Sequence, residues 1–358
     1  MKNMYYKIVL YSFIFLVLFG LLMIYSSSSV WALFRFNDSF HYVKMQSLFI
    51  IISLFLVYKL SLFDLDILYN KCNKLLFISI ILLILVIVPF IGKTMNGSRS
   101  WFMIGPFGIQ PSELSKLTLI IYASKYLSNN NMRSFKDGVL PLLFILFIVF
   151  FLIMLEPDLG TATIIFITIL AMIFISGAKK KFFYLMFILG LFGFTSLIII
   201  APYRMKRITS FINPWNDPLD SGFQIIQSLY AIGPSGLLGR GLFNSVQKEF
   251  FLPEPQTDFI FSIIVEELGI VGCLIILFLF SSIIYISIKC SLKEENSFKK
   301  YLLFGLTFQL AFQMIMNLMV ATSLIPITGV TLPFISYGGS SFIISTISIG
   351  IILNIIKN

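Results

Sequence analysis

From Tyr301 to Ile356 the chain carries no charged residue. That run is far too long for one helix, because a helix crosses ~30 Å of hydrocarbon in roughly 20 residues. It therefore holds two spans, divided in the Pro- and Gly-containing stretch Pro326–Gly339. Further charge-free runs predict spans at Ile8–Phe34, Met45–Tyr58, Leu75–Gly92, Gly138–Leu155, Leu159–Ala178, Phe182–Tyr203 and Leu268–Ile288. One more, near Ile109–Leu127, carries Glu113 and Lys116 and is needed for the loop signs to alternate. The expected fold class is all-α, a polytopic integral membrane protein with ten transmembrane helices in a single domain over 1–358.

Composition agrees. Of the 358 residues 58% are apolar and 12% charged, where soluble domains carry roughly 45–50% and about 25%. A cytosolic enzyme, a disordered chain and a secreted scaffold are excluded. Cys72, Cys273 and Cys290 are widely spaced and His41 is the one histidine, which gives no disulfide framework and no zinc or haem spacing. The net charge of +10 reads as cytoplasmic lysine that sets topology, not as a nucleic-acid surface.

With the N-terminus inside, most Lys and Arg fall on cytoplasmic segments, among them Lys59, Lys71, Lys74, Lys125, Lys179–Lys181 and Lys289–Lys300. The reading is N-in and C-in, with one large extracytoplasmic loop at 202–257. Most acidic residues gather on the opposite face, where the chemistry is expected.

Four outer segments combine polar residues with helix ends. Asn96–Lys116 holds turn signals, then Arg99 and Trp101, then Pro111-Ser112-Glu113 as a helix start. Lys116 lies at i+3 from Glu113, so an ion pair facing the bundle is expected, and an intramembrane lysine marks a site or a pathway. Asp158, in Glu156-Pro157-Asp158, reads either as the cap of the next helix or as part of a site. In the long loop Arg204, Lys206 and Arg207 form a basic cluster suited to an anionic headgroup or pyrophosphate. Asp258 follows Thr257 at the start of an apolar run and reads as a helix N-terminal residue or an active carboxylate. Glu266 and Glu267 are expected either to pair with Lys116 or Arg207 or to lie on a short helix outside the core. Thr328–Ser341 reads as broken or re-entrant backbone, which membrane depth permits only in a buried or cavity-lining place.

These stretches carry a resemblance. NGSRSWFMIGPFGIQPSELSK at 96–116, EPDLGTAT at 156–163, FINPWNDPLDSGFQIIQSL at 211–229, QKEFFLPEPQTDFIFSIIVEELG at 247–269 and ITGVTLPFISYGGSS at 327–341 occur in the order seen in the SEDS family (shape, elongation, division and sporulation), which the chain resembles. GLLMIYSSSS at 20–29, FNDSFHYVKMQ at 36–46 and LPEPQTDF at 252–259 are more similar to its FtsW and SpoVE branches than to RodA. Phe243 stands where the family more often has a second Gly.

The resemblance implies a peptidoglycan glycosyltransferase of the bacterial cytoplasmic membrane. It implies lipid II as substrate at the outer face and a class B penicillin-binding protein as partner. It places the essential carboxylate on Asp258, the outer-loop motif on Arg99 and Trp101, and further cavity positions on Glu113, Lys116 and Asp158. The implied reaction needs a base at the acceptor hydroxyl and positive charge at the leaving pyrophosphate. Asp258 is the expected base, with burial beside Phe259 and Phe261 raising its pKa. Arg99 and Lys116, ahead of Arg204, Lys206 and Arg207, are the expected pyrophosphate ligands. A divalent cation, Mg or Mn, fits carboxylates that share a site with a pyrophosphate, and no organic cofactor is expected. A lipid II flippase and a non-catalytic scaffold for the penicillin-binding protein are the alternative functions.

Overall fold

Apolar residues surround the longest segments on every side, so the chain satisfies its backbone polar groups inside helices, as lipid demands. The computed structural model describes residues 2–95, 98–105, 107–184, 186, 188, 190, 193, 202–220 and 222–358. Its described helices are α1 (Lys2–Phe36), α2 (His41–Leu60), α3 (Leu65–Ile87), α4 (Pro111–Asn129), α5 (Leu140–Leu155), α6 (Leu159–Ile175), α7 (Pro202–Ile212), α8 (Phe223–Ile232), α9 (Ile260–Lys293), α10 (Ser297–Ala321) and α11 (Gly339–Lys357). Among the described residues seven helical segments are long and apolar enough to cross a membrane: α1, α2, α3, Phe135–Leu155, α9, α10 and α11. The protein is therefore a multi-pass membrane protein. α6 is apolar but shorter, and α4 carries its ion pair. The span expected at 182–203 lies largely outside the described residues.

The fold is mostly helical, and the structure adds detail to the expected spans at three places. The fold is not purely helical, because β1 (Lys93–Met95), β2 (Ser98–Ile104) and β3 (Phe107–Ile109) form a small antiparallel sheet in the order β1-β2-β3. The alternation Ser98, Arg99, Ser100, Trp101 suits a two-sided strand, and Gly105 at φ +62° turns β2 into β3. α3 starts ten residues before the expected span at Leu75, capped by Asp64, whose Oδ1 accepts from Asp66 N at 2.9 Å; Lys71 and Lys74 sit on its early turns. α9 likewise starts at Ile260, and Glu266 and Glu267 lie on its first, short helical piece ahead of Gly269, buried and not outside the core.

That helix breaks at Gly269 (φ 63°, ψ −154°), a left-handed conformation that favours glycine. The break frees the carbonyls of Glu266 and Glu267 to accept from Arg240 N and Gly241 N, both at 2.9 Å. Ile270 N and Val271 N turn instead to the carbonyls of Gly236 and Leu237. The long loop is thus stitched to α9 through its main chain. The two glutamates finish the seam. Glu266 accepts from Ser245 Oγ at 2.5 Å and Val246 N at 3.0 Å, and Glu267 from Ser26 Oγ at 2.5 Å, Phe243 N at 3.0 Å and Lys248 Nζ at 3.2 Å. Their charge partners are Arg240 and Lys248, not Lys116 or Arg207.

Sidedness within the bundle follows from side-chain size and polarity. α5 turns Phe144, Phe147 and Phe151 outward, a stripe suited to acyl chains, and buries Leu142, Leu146, Val149 and Ile153. α10 and α11 are the most buried spans. Between them residues 322–338 form the irregular backbone expected there, buried at Leu332, Phe334 and Ile335. At the same end lie the start of α4, the α5–α6 junction and the start of α9.

Candidate active site

β2 presents two faces. Ser98 and Ser100 look inward: Ser100 is buried, and Ser98 Oγ donates to the carbonyl of Glu156 at the α5–α6 junction. Arg99 and Trp101 share the opposite face, both half-buried, with the Trp101 ring against Gly108. From β3 the chain passes through Gln110 into α4. Ser340 Oγ, in the first turn of α11, donates to Gly108 O at 2.8 Å and accepts from Gln110 N at 3.1 Å.

Gln110 Nε2 also donates to Asp158 Oδ2 at 3.1 Å. Asp158 Oδ1 accepts from Thr161 N at 3.0 Å, so this carboxylate caps α6 while it faces the site. Beside it Glu156 is fully buried, and its carboxyl oxygens have no partner among the described residues. Burial, reinforced by the Asp158 charge, pushes the Glu156 pKa up to about 9, so it stands neutral near pH 7.

On α4 the predicted ion pair forms. Lys116 Nζ lies 2.9 Å from Glu113 Oε1, with Lys116 1% and Glu113 6% exposed. Lys116 Nζ also donates to Gln313 Oε1 on α10 at 3.2 Å. Gln313 Nε2 continues to Thr331 O at 3.1 Å and Ser341 Oγ at 3.4 Å. Lys116 is thus a buried, charge-balanced element of the floor and not an open anion ligand.

Asp258 sits just ahead of α9, half-buried, with Oδ2 over Gly329. Burial raises its pKa to about 6; Glu254 and Asp158 push in the same direction and Arg207 opposes them. Arg207 Nη1 donates to Ile327 O at 3.1 Å, which holds the guanidinium by residues 322–338 and near Asp258. Lys206 is committed elsewhere. Its Nζ lies 2.5 Å from Asp220 and 3.8 Å from Asp217, and the Asp220 bond raises its pKa. The side chain of Arg204 lies outside the described residues.

The structure therefore joins Asp258, Asp158 and Arg207 through their mutual fields, and joins Glu113 and Lys116 to the same segment through Gln313 and Thr331. No group of three His, Cys, Asp or Glu that could hold a metal occurs among the described residues. Asp158 and Asp258 are the carboxylates here that could share a cation with a pyrophosphate.

Gln313, Asn317 and Ser336 are site residues that the sequence alone does not single out. A signal for the amides is present: Gln309, Gln313 and Asn317 recur every fourth residue in the uncharged part of α10, which aligns them on one face.

Comparison with known proteins places the chain among relatives of similar length. Stage V sporulation protein E of Bacillus subtilis is 47% identical over 346 residues, covering 95% of this chain and 93% of that protein. A protein from Aliivibrio salmonicida named probable peptidoglycan glycosyltransferase FtsW is 40% identical over 351 residues, covering 95% and 86%. Among solved structures, a chain of a peptidoglycan synthase complex described as coordinating polymerization and crosslinking superposes with TM-score 0.78 at 30% identity, covering 97% of each chain. The profile of the FtsW/RodA/SpoVE family, described as "Cell cycle protein", matches residues 6–358, and the chain belongs to that family.

Proposed function

We propose that this chain is a peptidoglycan glycosyltransferase that polymerises glycan strands from lipid II. The observation that carries the reading is Asp258, a carboxylate with its pKa raised to about 6, beside the Arg207 guanidinium at the mouth of an apolar bundle. In the proposed reaction a sugar hydroxyl of the acceptor attacks the anomeric carbon of the donor. Asp258 takes the hydroxyl proton as the new C–O bond forms and the bond to the polyprenyl pyrophosphate breaks, with inversion. A base with a pKa near 6 is ionised at neutral pH and still basic enough for the transfer. Arg99, from the open face of β2, and Arg207 hold the charge that develops on the leaving pyrophosphate. Glu113 and Lys116 fix the floor beneath them, and Trp101 borders the sugar side.

The membrane arrangement follows from the charges. Ten spans, N-in and C-in, put the site and the 202–257 loop at the outer face of the bacterial cytoplasmic membrane. The proposed partner is a class B penicillin-binding protein that crosslinks the strands. A divalent cation would enter with the lipid II pyrophosphate.

Vesicles reconstituted with this protein, the partner and lipid II test the reading. A polymerase converts lipid II to glycan polymer. Transbilayer movement of lipid II without polymer would establish a flippase instead. Partner binding with neither reaction would establish a scaffold.

A further inference from the structure

The main chain that delivers Asp258 is held from outside its own helix. Three consecutive carbonyls each accept from residues 317–337: Gln256 O from Tyr337 N at 2.9 Å, Thr257 O from Ser336 Oγ at 2.7 Å, and Asp258 O from Asn317 Nδ2 at 2.7 Å. Asn317 uses its second N–H as well, donating to Val330 O at 2.8 Å. Its side chain is fully buried on α10. One amide nitrogen thus ties Asp258 to the residue next to Gly329, over which the Asp258 carboxylate lies. One turn earlier on the same helix face Gln313 ties Lys116 to Thr331.

We infer that Asn317 is the positioning residue of the transfer reaction, clamping Asp258 to residue 330 and, with Gln313, fixing the distance between the base and the buried Glu113–Lys116 pair. The inference rests on the glycosyltransferase reading given above. The residue type is what the geometry demands. Two carbonyls need two donors from one short side chain, and a serine supplies one, an aspartate none, and a lysine only at the cost of a charge buried beside a carboxylate. A neutral amide satisfies both carbonyls and leaves the field at Asp258 to Glu254, Asp158 and Arg207.

The test uses the full chain with its partner and lipid II, and compares wild type with Asn317→Ser, which keeps one donor, and Asn317→Asp, an isostere with no donor when ionised. Displacing a reacting group by about 1 Å costs on the order of 100-fold in rate. Asn317→Ser is expected to lower kcat by about 10- to 100-fold with KM within about 2-fold, and Asn317→Asp to fall further. A second readout needs no turnover: carbodiimide labelling of carboxyls, read by peptide mass spectrometry, should change at least ~3-fold at Asp258 and stay constant at Asp38. If the Asn317 variants do not fold, Ser336→Ala removes one donor from the same run and should give a smaller drop in kcat with the same labelling signature. Wild-type kcat and wild-type labelling in a folded Asn317→Ser would overturn the inference. A raised KM at constant kcat would also overturn it, because Asn317 would then be a substrate contact. Altered labelling in variants of a protein whose wild type makes no polymer would uphold the clamp and sink the glycosyltransferase reading.

Discussion

Lys116 Nζ donates to Gln313 Oε1 at 3.2 Å, so the buried cation of α4 is fastened to the helix whose next turn fastens Asp258. α10 is in this sense the spine of the site. Its amides are neutral, which is why they lie unnoticed in a run defined by having no charge.

The Glu113–Lys116 pair is nearly dry, and a dry pair resists loss of one partner far more than loss of both. Lys116→Met alone should cost roughly 3–5 kcal/mol, because it leaves the Glu113 carboxylate unpaired. The double substitution Glu113→Gln with Lys116→Met should recover most of that stability without recovering activity. Denaturant titration in detergent, run beside a polymer assay, checks both halves.

The pKa of Asp258 sets an acid limb. With the carboxyl raised from 3.8 to about 6, the base loses its charge as pH falls through 6, and kcat/KM should drop about tenfold per unit below that point. Removing the opposing cation by Arg207→Gln should move the limb to higher pH. A pH–rate profile of both proteins measures the shift.

Glu156 makes the opposite kind of prediction, one about stability. Its folded pKa of about 9 lies above the 4.5 of a free carboxyl. Between those values the unfolded chain has released a proton that the folded chain retains, so stability falls as pH rises from about 4.5 to about 9. Glu156→Gln removes that dependence. The variant should be more stable than wild type at pH 8, by a few degrees in Tm, and equal to it near pH 4.5.

Lys248 and Glu267 lock the long loop to α1 and α9. Glu267→Ala should cost roughly 3–5 kcal/mol by stranding the buried ammonium. It should also open the 243–248 segment to hydrogen exchange while leaving α11 protected. Exchange measured peptide by peptide distinguishes this local release from general unfolding.

Much of this architecture is legible from charge alone. The uncharged run of 301–356, divided near 326–339, corresponds to α10, the irregular segment and α11, and the ion pair at Glu113 and Lys116 follows from its i+3 spacing. Other features depend on what the residues meet in space. α3 runs beyond its apolar stretch because the helix continues into polar ground at Lys71 and Lys74, whereas Glu266 and Glu267 end a short helix that Gly269 separates from the apolar run after it. The small sheet rests on a seven-residue strand, β2, in a loop, too little pattern for periodicity to declare. Glu266 and Glu267 find partners in Arg240 and Lys248, well back along the chain, and no local rule selects those over Lys116. Asn317 reads as one more polar residue until Asp258 and Val330 are brought to it.

The most direct measurement is glycan polymerisation by the purified chain with its class B penicillin-binding protein, lipid II and a divalent cation, for wild type and for Asp258→Asn. Wild type should make polymer and Asp258→Asn should lose at least about 100-fold, with the variant still folded and still bound to its partner. Polymer at the wild-type rate from Asp258→Asn would contradict the assignment of Asp258 as the base.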